Sequence, residues 1–187
     1  MKLLIEHAAM ISSVALARFI AIILCAAICS LFVDERWVAF YYYPAGAVDV
    51  VALLALGYWA AIGAGIGCLI WNVWQLDFTM SQNVALFTVA IARCVVALWI
   101  FQRLYQPVRQ ETWTTPTLRS VLLFAVIYAV VNTLFAHAVL TYATPEQTLT
   151  TQDLASLFGG AIVGSLGGFV ALNLTFTAYL SSRLKDD

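Results

Sequence analysis

The chain has 187 residues, 63% of them hydrophobic and 10% charged, with a net charge of -1. A soluble domain carries about 25% charged residues. This composition therefore excludes an ordinary water-solvated globule, and a mean hydropathy of +0.92 points to lipid as the second solvent. The near-zero charge balance argues against a broad basic surface for nucleic acid.

A membrane-crossing helix needs about 20 apolar residues, and the chain offers about six such runs. The first covers Met10–Val33 and ends at the charged triplet Asp34-Glu35-Arg36. It reads as a retained span, because a secretory signal has a shorter apolar core. The second, Trp37–Leu56, opens with the aromatics Trp37, Tyr41, Tyr42 and Tyr43, which suit the membrane–water boundary. Pro44 and Gly46 interrupt its outer end, so regular helix is expected only from Ala47, and Tyr41–Gly46 is open to a re-entrant reading. Gly57 marks a tight turn into the third span, Tyr58–Trp74.

The polar stretch Gln75–Asn83 precedes span four, Val84–Leu104. Span five is Ser120–Ala143 and span six Leu154–Leu180. The expected fold is a single all-α domain, a polytopic membrane bundle of about six transmembrane helices. Arg103, Arg109 and Arg119 lie between spans four and five. With Lys2, Arg183 and Lys185 they fall on one side when the number of spans is even. Cytoplasmic loops carry the excess of Lys and Arg, so both termini are expected in the cytoplasm and the chain in a bacterial inner membrane. The same three arginines are candidates for contact with a partner or anionic lipid.

Three charged residues interrupt apolar segments: Arg18, Asp49 and Arg93. A charge at the bilayer centre costs about 2.5–3.5 kcal/mol on insertion scales, so such groups are expected to pair or to face a polar cavity. Asp49 with Arg93 is the expected pair, while Arg18, read as nearer the cytoplasmic end of span one, is expected to snorkel. The functional alternative is a polar cavity that senses or carries a ligand. His137 with Asn132 is a candidate proton relay, although a lone membrane His more often hydrogen-bonds within a core. Asn72 and Asn173 are candidate bridges between helices.

Gly160, Gly164 and Gly168 repeat along one face of span six, and Gly63 with Gly67 repeats the spacing in span three. Small residues at this interval let helix backbones approach closely. The four cysteines all sit in apolar runs without metal-ligand spacing. No metal site or cofactor is expected, and no nucleophile elbow, zinc-protease motif or phosphate loop occurs.

The stretch from Tyr42 to Asn72 resembles the first family of bacterial membrane-associated sensor domains, which are multi-span inputs joined to signalling output domains. The likeness rests on Tyr43, Pro44, Ala45 and Gly46, the Gly57 turn, Gly63 and Gly67 in the Gly-rich helix, and Asn72 near its end. The family's Pro before the Gly-rich helix and its late Gly-Asp pair are absent, and no output domain follows span six. The resemblance implies a sensor-like or accessory subunit in signal transduction. Such a subunit would act through a separate membrane protein partner or a homo-oligomer within the lipid bilayer. The alternatives are a small-solute transporter or its substrate-binding subunit, and a structural subunit of a membrane complex. No enzyme is expected.

Overall fold

The computed structural model describes residues 2–32, 43–75, 78–105, 118–143, 150–151, 154–155, 158–167 and 169–170. Among these residues the chain is all helix: α1 Lys2–Phe32, α2 Tyr43–Leu56, α3 Tyr58–Gln75, α4 Met80–Tyr105, α5 Leu118–Ala143 and α6 Phe158–Gly167. Three segments are long and apolar enough to cross a membrane: Leu4–Leu24, Met80–Tyr105 and Arg119–Val139. Arg109 and Gly168 lie outside the described residues, as do Asn173 and the charged segments 34–36 and 183–187.

Three boundaries differ from the sequence expectation. Helix α1 starts at Lys2 rather than Met10, because backbone hydrogen bonding continues through polar side chains once a long apolar helix is nucleated. Helix α2 starts at Tyr43, with Pro44, Ala45 and Gly46 inside its first turn. The missing N–H of a proline is harmless there, since first-turn donors have no intrahelical acceptor. A helix start near Ala47 is thereby corrected, and Tyr43–Gly46, left open between helix and re-entrant loop, is helical. Tyr41 and Tyr42 lie outside the described residues.

Helix α4 starts at Met80 rather than Val84. Thr79 and Gln82 cap it reciprocally. The Gln82 N–H donates to Thr79 Oγ1 at 3.4 Å, and the Thr79 N–H donates to Gln82 Oε1 at 2.9 Å. This is a capping box, Thr-x-x-Gln, written in residues that read as loop.

At the α2–α3 junction the Gly57 N–H donates to the Leu53 carbonyl at 3.0 Å, and Gly57 has a φ of 64°. This left-handed cap lets the chain reverse in one residue. The contacts then fix the directions. His7 stacks on Trp59 at 4.3 Å, and Phe19 meets Trp74 at 5.6 Å, so α1 and α3 run parallel. The Tyr58 hydroxyl donates to Gln102 Oε1 at 2.8 Å, which sets α4 antiparallel to α3. Phe101 meets Phe124 at 5.1 Å, which sets α5 antiparallel to α4. The N-terminus of α1, the Gly57 turn, Arg103 and Arg119 therefore share one end of the bundle.

The interior combines large side chains such as Leu53, Leu98, Phe101 and Phe124 with many small ones. Ala60, Ala61, Ala64, Ala90, Cys94, Ala97, Ala125, Ala129 and Ala161 are buried, whereas Leu16, Leu24, Ile70, Trp99, Leu134 and Val163 are exposed. Lipid solvates the large apolar groups, so the tightest helix contacts fall to small ones. A β-carbon on Gly63 would sit 2.7 Å from the Ile11 carbonyl oxygen, and one on Gly67 2.8 Å from that of Ala15. These glycines are where α3 packs on α1 of the same chain. Gly65, on the opposite face, meets α4, where a β-carbon would lie 2.6 Å from Ile91 Cγ1. In α6, Gly160 and Gly164 are buried, while Gly159 and Gly167 face open space.

This contrast gives a direct test. Gly67→Val is expected to destabilise the bundle by about 1–3 kcal/mol through overpacking. Gly159→Ala is expected to be neutral or stabilising, because alanine has the higher helix propensity. Reversible unfolding in mixed micelles measures both, and equal effects at the two positions would contradict the packing described.

Candidate functional site

Four helices contribute polar side chains to one place at mid-depth. Arg18 comes from α1, Asp49 from α2, Arg93 from α4, and Tyr128 with Asn132 from α5. Tyr128 and Asn132 are one helical turn apart and so share a face. Arg18 is 0% exposed, Asp49 1% and Arg93 7%. Gly67 makes this burial possible: a β-carbon there would lie 3.1 Å from both Cβ and Cδ of Arg18, so α3 covers the arginine stem.

Asp49 is the hub. Its Oδ2 accepts a charge-assisted hydrogen bond from Arg18 Nη1 and another from the Tyr128 hydroxyl. Arg93 Nη2 stands 3.6 Å from the same oxygen, within ion-pair range but beyond a good hydrogen bond. Arg93 Nη1 instead donates to Asn132 Oδ1 at 2.6 Å. The expected Asp49–Arg93 proximity is present, but the direct partner of Asp49 is Arg18. The snorkelling expected of Arg18 is corrected. Arg18 lies near the middle of the 31-residue α1, and its fully buried guanidinium is turned onto Asp49 rather than along the helix toward an end.

Two guanidinium groups thus share one carboxylate, which leaves the cluster a formal charge of +1 when all three are ionised. Several of its atoms also lack hydrogen-bond partners among the described residues: Asp49 Oδ1, and Nε and Nη2 of both Arg18 and Arg93. Beside them is a crevice lined by Arg18, Gly46, Arg93, Tyr128, Asn132 and Ala161, too tight to admit a water molecule.

The other candidates lie elsewhere. His137 is exposed on α5, five residues beyond buried Asn132. Asn72 is buried, and its Nδ2 donates to Cys68 Sγ at 3.7 Å one turn back on α3; it bridges to no other helix among the described residues. Arg103 and Arg119 are exposed near the end of the bundle that holds Lys2, and Arg103 lies 5.7 Å over the Trp99 ring. Cys68 and Cys94 are free and buried. No group of three or more His, Cys, Asp or Glu among the described residues is placed to hold a metal. Tyr128 was missed by the sequence reading. A phenol inside an apolar helix, one turn from an asparagine, is the signal that points to it.

No family model, curated protein or solved structure matches the chain. The functional reading therefore rests on the residues and their geometry.

The charge arithmetic makes an unequal prediction for the three ionic residues. Asp49→Asn leaves two buried guanidinium groups without an anion and is expected to cost about 3–5 kcal/mol. Arg93→Gln leaves a neutral Arg18–Asp49 pair and a side chain able to reach Asn132, so its expected cost is under about 1 kcal/mol. Unfolding in mixed micelles ranks them. An Arg93→Gln variant as unstable as Asp49→Asn would show that the cluster holds no surplus cation.

Proposed function

We propose that the chain is a non-enzymatic, sensor-like or accessory subunit that acts through a separate membrane protein. Its six helices cross a bacterial inner membrane with both termini on the cytoplasmic side. The alternation of helix directions and the grouping of Lys2, Arg103 and Arg119 at one end support that topology. The likeness of Tyr43–Gly46, Gly57 and the Gly-rich α3 to the sensor-domain family supports the sensor reading. The segments between helices are too short to hold a catalytic domain.

One observation carries the proposal: a buried, charge-unbalanced cluster ties four helices to a single carboxylate oxygen. A change in charge or hydrogen bonding at Asp49 acts on α1, α2, α4 and α5 together, which is what a sensing element requires. Polar groups inside a membrane bundle are functional candidates by default because insertion disfavours them.

The second reading, a solute-binding or transport subunit, draws on the unpartnered guanidinium edges that face the crevice.

Gentle-detergent purification from the native membrane, followed by mass spectrometry of everything that accompanies the chain, decides between them. The expected result is a stoichiometric membrane protein partner. A single metabolite with no protein partner would replace the accessory reading with solute binding.

A further inference from the structure

The cluster is built on one side only. In both Arg18 and Arg93 the nitrogens without a hydrogen-bond partner among the described residues are Nε and Nη2. These two donors lie along one edge of the guanidinium plane, and two parallel N–H groups on such an edge grip the two oxygens of a carboxylate or phosphate. Arg18 spends Nη1 on Asp49 and Arg93 spends Nη1 on Asn132. Each arginine is therefore positioned by its Nη1; the Nε–Nη2 edge of Arg18 makes no hydrogen bond among the described residues, and that of Arg93 has only the 3.6 Å ion-pair approach of Nη2 to Asp49 Oδ2, while both residues line the same crevice. Buried donors without acceptors are costly, and so is a buried charge without a counterion. One ligand would remove both penalties: a group with paired oxygens and a charge of -1.

We infer that the crevice between Arg18 and Arg93 is a binding site for a singly charged oxyanion, a carboxylate or phosphodiester group, carried by a small molecule or by a membrane lipid. The inference deepens the sensor reading and rests on it, in that the oxyanion is the signal. Gly46 and Ala161 also line the crevice, and neither fills it with a side chain larger than methyl. Because the crevice is too tight for water, the oxyanion enters only when the helices part. Binding then couples to a rearrangement of α1, α2, α4 and α6. Asp49 stays in place as the anchor for Arg18, and Arg93 is the residue free to turn toward the ligand.

The test uses the full chain in nonionic detergent, with thermal unfolding followed against added acetate, oleate or phosphatidylglycerol, and potassium chloride at equal ionic strength as the control. The expected result is a saturable rise in melting temperature with at least one of the three oxyanions, well beyond the chloride control. Acetate alone identifies a soluble carboxylate, whereas oleate or phosphatidylglycerol identifies a lipid group.

Arg93→Lys keeps the charge and removes the bidentate edge, so it is expected to weaken apparent affinity at least tenfold. Gly46→Val is the second variant, should the first fail to fold. A β-carbon there meets only ordinary contacts, 3.7 Å from Tyr128 Cε1 and 3.9 Å from Ala161 Cα. The rest of the side chain occupies the crevice and should abolish the shift. No saturable shift with any oxyanion, a shift matched by chloride, or an undiminished shift in a folded variant would overturn the inference. These results are separable from the partner purification. A partner without oxyanion binding sinks only the ligand assignment, and oxyanion binding without a partner sinks only the accessory role.

Discussion

The sharing of the Asp49 carboxylate between Arg18 and Arg93 is the interaction around which the bundle is arranged. Charges at mid-membrane survive only when the protein supplies what water would have supplied. Here the supply is unequal. One oxygen of Asp49 takes the Arg18 hydrogen bond, the Tyr128 hydroxyl and the field of Arg93, while the other has no hydrogen-bond partner among the described residues. Such a cluster is a poor way to stabilise a fold, because a well-packed apolar core of the same volume often does as well or better. Its value lies in specificity of arrangement and in sensitivity to one more charge.

The packing around the cluster follows from that requirement. Arg18 is buried only if a helix can pass close over its stem, and Gly67 lets α3 do so; Gly63 extends the same contact one turn along. Gly65 does for α4 on the other face what Gly63 and Gly67 do for α1. Helix α3 is thus a spacer of nearly minimal width between α1 and α4, the two helices that carry the arginines. The one-residue reversal at Gly57 sets α2 beside it with Asp49 at the matching depth. A wider α3 would separate Arg18 from Arg93 and leave each with its own desolvation cost.

Much of this architecture is legible in the sequence, and the parts that are not have identifiable causes. Apolar runs locate the helices and their order because each must present lipid-compatible side chains over its whole length. The Gly57 turn and the small-residue face of α3 are equally plain, since only glycine satisfies them. Helix ends are harder, because Lys2, Glu6 and His7, and likewise Thr79-Met80-Ser81-Gln82, are polar residues that a hydropathy reading assigns to loops. A span counted from Met10 puts Arg18 nearer an interface, whereas α1 starts at Lys2 and Arg18 is the direct partner of Asp49. Depth can be counted along a sequence, but which neighbour a side chain meets depends on helix adjacency and rotation, and no single chain segment encodes those. Tyr128 shows the same limit: its place in an apolar helix one turn from Asn132 marks it, but only helix adjacency puts its hydroxyl on Asp49.

The parallel setting of α1 and α3 gives the cluster its mechanical character. Successive helices reverse direction, so α1 and α3 are joined only through α2, and α2 carries Asp49. The ion pair between Arg18 and Asp49 therefore links α1 to the 14-residue helix that connects it to its own closest packing partner. A helix of that length is about 21 Å long, short of the roughly 30 Å hydrocarbon thickness, and it is held at one end by a glycine cap. Arg18 also lies under Gly67 of α3, where a β-carbon would come within 3.1 Å of its stem. The most tightly packed helix pair and the charge cluster therefore meet at one residue, and the close approach of α3 to α1 is what holds the Arg18 guanidinium on Asp49.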